Sequence, residues 1–568
     1  MRNLSFLLLF WIPGVLAAEG PDALEGARQL VSAEAPQLAL NRVEQLQPRD
    51  VAAARWADWE TLRLNLLFRL DQHADLLQRV SEMPAGMAVA PLREALALAT
   101  RSAVAIARDA QARKYAARVL WQLSPSVAET KQIRLLVIES LVADKKRDDA
   151  FRGMLRFEQD YRPLGRSTAA RFVEDLLDLD MAKEAVNWLG RLDDAAPLKL
   201  LLRLKAGLIT ADAAIAQARA ALSKSGDVGY WQVLAQAARQ QKNRALQIES
   251  LENVLQLADA KQLQQRAAQA LWRAYLEAAQ QAGSLNKLVI GNDVGWMDFA
   301  TRRPGAGPFV SRAFFAYLAR NGQAGDARRN AQLQLVISLR AAKRELTALR
   351  LFQHADVETG AIDSKARYLL GQIADNQNQP AVAIALWQGL AAPPDVGAEE
   401  WQLRIAGAAV RAGMMDRAAA ALKSVIALGK PLSAGLARRS VALVQEMLDA
   451  GKPDFAGGLF EALLPLVSAA EQRTALFSLG RIHDSAGQPP VAADYYLRSA
   501  LLAGGRAPDA LALQARLLAA LNLARAGYKV DARAQFEWLE KNSKDAAQLE
   551  VVRRELKKLN PDQGKPPL

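Results

Sequence analysis

A Gly or Asn followed five residues later by Ala recurs six times in the C-terminal half, and this limits the chain's folding choices more than any other feature. The pairs are Gly322/Ala327, Asn378/Ala383, Gly413/Ala418, Gly451/Ala456, Gly487/Ala492 and Gly527/Ala532, separated by steps of 56, 35, 38, 36 and 40 residues. Each pair lies between two apolar-periodic segments. Gly or Asn tolerates the left-handed conformation that ends a helix. Ala early in the next helix lets the two helices approach without a side chain between them. Four positions after the Ala a bulky residue fills the groove: Trp387, Leu422, Phe460, Tyr496 and Phe536, with Ala331 standing there in the first unit. The pattern predicts short antiparallel helix pairs repeated along the chain.

The rest of the sequence agrees with an all-α reading. Good helix formers dominate, while alternating Val/Ile/Thr runs and Asn-Gly hairpin turns are scarce. In the N-terminal half Ala117/Trp121, Ala150/Met154 and Ala185/Leu189 repeat the Ala-x3-bulky signature at steps of 33 and 35. Residues 56–70, 211–222 and 245–257 read as further helices. Residues 291–309 hold four glycines and two prolines, which argues for an irregular loop and the best internal boundary. Residues 545–559 read as a terminal capping helix with Leu549, Val552, Leu556 and Leu559 on one face, and 561–568 as a disordered tail.

The arrangement resembles the tetratricopeptide repeat (TPR) family. The best unit runs through Leu476, Leu479–Gly480, Gly487, Ala492 and Tyr496, followed by Leu370–Gly371, Asn378, Ala383 and Trp387. The family's second packing alanine is replaced by Leu390, Val425, Leu463, Ser499 and Leu539, and its closing proline is mostly missing. The resemblance implies an α-solenoid of antiparallel helix pairs, a right-handed superhelix. It covers residues 310–560, with 19–290 as a more divergent helical-repeat region whose steps fit the family's period of about 34 residues.

The beginning of the sequence reads as an export signal, residues 1–18. Arg2 supplies the positive start, Leu4 to Trp11 the apolar core, Pro13 and Gly14 a break, and Ala17 and Ala18 the small cleavage-site residues. A periplasmic protein is expected, with no transmembrane segment once the signal is removed. Cysteine is absent, which excludes disulfides, thiolate metal sites and cysteine nucleophiles. Lys and Arg number 73 against 60 Asp and Glu, a net charge of +13, which favours anionic partners.

Candidate chemistry is thin. His73, His354 and His483 are the only histidines and lie far apart, without metal-ligand spacing. Asp175 and Asp178, with Glu174 and Asp180 nearby, share one helix rather than facing across a cleft as glycoside hydrolysis requires. Ser284-Leu285-Asn286-Lys287 fits S-x-x-K without its companion motifs. No enzyme activity, cofactor or metal is expected. In the 291–309 stretch, Trp296, Phe299, Arg302 and Arg303 combine aromatic faces with planar cations and are candidate contacts for acidic or sugar-like partners.

The resemblance implies that partners bind the groove formed by first helices. Its register selects Arg312, Arg320, Lys365, Tyr368, Gln372, Asn376, Arg411, Phe477, Arg481 and Asp484. This set is mainly basic. The expected function is a non-enzymatic scaffold or adaptor binding protein partners in cell-envelope assembly or secretion, with acidic polysaccharide or peptidoglycan as further partners and no nucleic acid. The alternatives are a periplasmic component of an exopolysaccharide export complex, and an all-helical enzyme acting on peptidoglycan or acidic polysaccharide.

Overall fold

A computed structural model describes residues 22–559, apart from 54, 85, 193–195, 284–291, 303–307, 324, 355–358 and 503–507. The expected signal and tail, and Ser284 to Lys287, lie outside the described residues. Helices joined by short turns make up nearly all of what is described, with no β-strand among the described residues. No helix among them is long and apolar enough to cross a membrane. Two compact units result, Met1–Asn243 and Arg244–Leu568.

That division falls at 243/244 rather than within the stretch 291–309. The stretch does not break the second unit, because its middle is a helix, Asp293–Arg302. Its prolines and most of its glycines flank that helix. Gly295 lies in the first turn, where its N–H donates to Asn292 Oδ1 at 2.6 Å. Asn292 thus caps the helix as a side-chain acceptor.

In the first unit, helix pairs run from Asp22–Ser32 with Pro36–Leu46 to Ala196–Lys205 with Ala211–Leu222, followed by Val228–Gln240. The turns of the first five pairs contain a left-handed residue: Glu34, Asp71, Ala107, Lys145 and Asp180. Five residues beyond each stands a buried small or apolar side chain: Ala39, Leu76, Ala112, Ala150 and Ala185. The turns also share a wide backbone bond that satisfies helix-end carbonyls. Arg108 N–H donates to Ala103 O at 2.7 Å, and Lys146 N–H to Leu141 O at 2.9 Å.

This register corrects two of the expected pairs. Ala107, not a glycine, sets the third turn, so Ala112 and Ala116 face inward, while Ala117 is exposed and Trp121 is 77% exposed. After Ala185 the chain tightens into the 3-10 helix Val186–Arg191. At three residues per turn the groove-filling side chain becomes Trp188 rather than Leu189. Ala150 and Met154 are both buried as expected.

The second unit repeats the hairpin with left-handed Lys343, Asn378, Gly413, Gly451, Gly487 and Gly527. Ala348, Ala383, Ala418, Ala456, Ala492 and Ala532 follow at five residues, and Phe352, Trp387, Leu422, Phe460, Tyr496 and Phe536 at nine, all buried. The 56-residue step therefore conceals a complete hairpin, Gly325–Ala341 with Glu345–Gln353. Its turn residue is Lys343; Gly322 is not among the left-handed glycines.

Close approach explains why two repeats keep glycine at the first-helix position sixteen residues before the bulky side chain, Gly371 and Gly480. A Cβ on Gly371 would lie 2.1 Å from Trp387 Nε1, and one on Gly480 would lie 2.6 Å from the Tyr496 ring. Both distances are far inside van der Waals contact. The corresponding position, sixteen residues before the bulky side chain, is Ala406 for Leu422 and Ala520 for Phe536; those side chains leave room for a methyl group. At the C-terminal end, Ala546–Leu559 packs Val552, Leu556 and Leu559 against the core containing Phe536 and Leu539.

Candidate partner-binding face

Three expected groove residues converge in the second unit. Phe477, Arg481 and Asp484 project from the first helix Ala469–Ser485. With Gln514 and Leu518 of the next first helix, Ala510–Arg525, they line a cleft of about 360 Å³ that also includes Ser485 and Tyr496. Phe477 meets the Tyr496 ring edge-to-face at 5.4 Å. Gly480 lets that ring lie against the helix backbone.

Polar groups surround this aromatic floor. Asp484 Oδ1 pairs with Arg525 Nη2 at 3.0 Å, and its Oδ2 accepts from Asn522 Nδ2 at 3.1 Å. Arg481 Nη2 lies 3.6 Å from Asp449 Oδ1. Burial, reinforced by the Asp484 charge, pushes the Tyr496 phenol up to about 12. It stays protonated at neutral pH, and its hydroxyl has no hydrogen-bond partner among the described residues. The cleft offers two aromatic edges, one uncommitted hydroxyl and a charge-paired rim.

Ion pairs neutralise part of the basic set expected on this face. Arg411 pairs with Asp375 of the preceding first helix, as Arg481 does with Asp449. Glu400 holds Arg404 at 3.1 Å and Arg439 at 2.6 Å. Burial raises the Glu400 pKa, but the two arginine hydrogen bonds outweigh it and leave the carboxyl below its ordinary value. Tyr368 joins the same network: its hydroxyl accepts from Gln372 Nε2 at 2.8 Å and Arg404 Nη1 at 3.0 Å. Asn376 and Lys365 are exposed at opposite ends of Ser364–Asn376. Arg320 is exposed on Pro308–Asn321. Neither Arg320 nor Lys365 has an acidic partner among the described residues.

Arg312 is not a groove residue. It is 5% exposed, and its guanidinium binds Glu252 at both ends, Nε to Oε1 at 2.8 Å and Nη2 to Oε2 at 3.0 Å. Tyr275, fully buried, donates to the same Oε1 at 2.7 Å. Burial lowers the Arg312 pKa, but Glu252 and Tyr275 outweigh it and hold it above the ordinary value. The first-helix register selected this position, but Arg312 lies on the core side of its helix. A separate buried carboxylate in the first unit, Glu60, takes Arg79 bidentately at 2.8 and 2.9 Å and accepts from Gln47 at 2.6 Å. It lines a cleft of about 330 Å³ with Trp56 and Met83.

Two aromatics of the 291–309 stretch pack within the fold. Trp296 stacks on buried Phe314 at 5.2 Å, and Phe299 meets both rings edge-on at 5.6 and 5.0 Å. Arg302 is paired with Asp298 at 2.5 Å. Arg303 lies outside the described residues.

The other candidate groups have structural surroundings. His73 shares a hydrogen bond with Ser102 at 3.2 Å, and His483 stacks on Tyr495 and bonds Gln488. Burial, with Lys261 and Arg350 nearby, lowers the His354 pKa. Burial is also the main reason the Asp175 carboxyl is pushed up to about 6; Asp178, Glu139 and Glu174 add to the effect, while Arg171 opposes it. Among the described residues no group of three or more His, Asp or Glu could hold a metal ion.

The hairpin geometry defines an all-α, TPR-like helical-repeat protein. No family profile matches the chain, and no curated protein matches it by sequence. Among solved structures it is similar to the APC/C hetero-tetramer Cut9–Hcn1, at 12% identity over 95% of this chain and 97% of that one, with a TM-score of 0.28. It is similar to the TPR domain of P58(IPK), at 12% identity over 77% and 100%, TM-score 0.19. It is also similar to Naa15/Naa10 bound to HypK-THB, at 11% over 95% and 96%, TM-score 0.20. At these scores the likenesses add nothing to the fold, which stands on the chain's own repeated turns and packing alanines.

Proposed function

We propose that this chain is an exported, non-enzymatic scaffold that binds protein partners in cell-envelope assembly or secretion through the first-helix face of its second unit. The observation that carries the binding reading is the cleft joining Phe477, Arg481 and Asp484 to Tyr496, Gln514 and Leu518 across two consecutive repeats. A half-buried phenyl ring, a free hydroxyl and a neutralised rim suit a protein segment that inserts an apolar side chain and presents a backbone carbonyl. Many of the ionisable groups on this face are held in structural ion pairs, which favours binding over catalysis. The signal-like composition of residues 1–18 supports export to the periplasm.

The test is site-specific photo-crosslinking in cells from Gln514, an exposed cleft residue. The expected result is capture of envelope proteins that is lost in a Phe477→Asp variant and reduced in Tyr496→Phe, which keeps the ring against Gly480. Capture that ignores both substitutions would overturn the cleft assignment. Fractionation with sequencing of the mature N-terminus checks export: a chain starting after Ala17 or Ala18 in the periplasmic fraction is expected.

A further inference from the structure

We infer that the outer face of the first unit's second helices docks on an anionic lipid surface. The key helix is Asp109–Gln122, whose inner face buries Ala112, Ala116 and Val119. Its outer face carries Lys114, Ala117, Arg118 and Trp121, all exposed. Spacings of three and four residues place these side chains on one side of the helix. Trp121, 77% exposed, lines none of the clefts described above.

The charges of this face are available. Lys114 and Arg118 have no acidic partner among the described residues. The helix's one acid, Asp109, is buried at its start, and Arg113 is committed to Asp144 at 2.5 Å. The second helix of the next hairpin, Arg147–Asp160, adds exposed Arg152, Leu155 and Arg156, while its exposed acids Asp148 and Asp149 lie in its first turn and Asp160 at its end is paired with Arg134. Of Arg152 and Arg156, only Arg152 reaches an acid, Asp149, and only at 3.9 Å. Val127, which opens the helix following Trp121, is also 77% exposed.

An indole is most at home at the headgroup level of a bilayer, between hydrocarbon and water. Lysine and arginine beside it are drawn to anionic headgroups. Neither signal alone gives firm attachment, whereas apolar and basic groups together do. A ring standing out of a helix with no socket around it needs a soft partner that closes around it, and lipid headgroups provide one. This surface is separate from the cleft of the second unit, so either assignment can fail without the other.

The experiment is co-sedimentation of the full chain with vesicles of equimolar phosphatidylglycerol and phosphatidylcholine, against pure phosphatidylcholine. Binding to the anionic vesicles only, falling steeply as salt is raised, is expected. Lys114→Glu with Arg118→Glu should cut partitioning about tenfold or more, and Trp121→Ala a few-fold, with unchanged helical circular dichroism. Lys365, exposed on the second unit's Ser364–Asn376, gives a control: Lys365→Glu should bind as the wild type does. No binding to anionic vesicles at low salt, equal binding to neutral ones, or charge-reversed protein that still binds normally would overturn the assignment.

Discussion

The two units make the same hairpin from different residues. In the second, four of the six left-handed turn positions are glycine: Gly413, Gly451, Gly487 and Gly527. In the first, the turns of the first five pairs use Glu34, Asp71, Ala107, Lys145 and Asp180, and the sixth uses Gly207. The hydrogen bonding is nonetheless shared: Gln488 N–H reaches His483 O at 2.9 Å as Lys146 N–H reaches Leu141 O. What those five turns share with the six of the second unit is the helix-ending bond and the packed residue five positions on. Glycine is the least strained way to make the turn, and the packing tolerates others at a cost of roughly 1 kcal/mol each.

The largest difference between the units should appear at their buried carboxylates. Glu252→Gln strands Arg312 in a sealed core and should destabilise the second unit by about 3–5 kcal/mol. Glu60→Gln should cost clearly less, because the Arg79 side chain is already a third exposed and can turn to water. Urea unfolding, with hydrogen exchange to localise the loss, measures both; equal costs would break the contrast. Next comes Gly371→Ala, which drives a methyl group into Trp387 and should cost about 1–3 kcal/mol as overpacking.

Turn substitutions should be smaller and opposite in sign. Gly487→Lys should lose about 1–2 kcal/mol, whereas Lys145→Gly in the first unit should gain about 1 kcal/mol by relieving its left-handed strain. A loss in both would show that Lys145 makes a contact that outweighs its backbone strain. The smallest effect concerns Asp175. Its pKa of about 6 exceeds the ordinary carboxylate value, so the folded state binds the extra proton between roughly pH 4 and 6. That contribution is complete below the unfolded pKa and fades as pH rises through 6. Asp175→Asn should therefore raise the Tm by about 2 °C at pH 7.5 and leave it nearly unchanged at pH 4.5.

These turns also explain what the sequence reveals and conceals. A search for Gly or Asn finds Asn378 through Gly527 because those turns use residues suited to positive φ. It misses Lys343 and Ala107, whose left-handed backbone is imposed by packing on either side. The 56-residue step leaves room for an additional helix around Arg340–His354, and the pair Ala348/Phe352, five and nine residues after Lys343, is the signal that sets its register. Trp121 misled the register because an aromatic four residues after an alanine looks like a groove filler; only Ala107 shows that it faces outward. Within the cleft, Phe477, Arg481 and Asp484 were legible from repeat register. Gln514, Leu518 and the free Tyr496 hydroxyl were not, because they depend on how the next hairpin stacks.

The cross-helix pairs Asp375–Arg411, Asp449–Arg481 and Asp484–Arg525 each tie one first helix to the next. They are rungs between neighbours only. Stretching the second unit would part them separately, each yielding well under the cost of unfolding a hairpin. Its compliance therefore rises with ionic strength, making it a spring softened by the surrounding electrolyte.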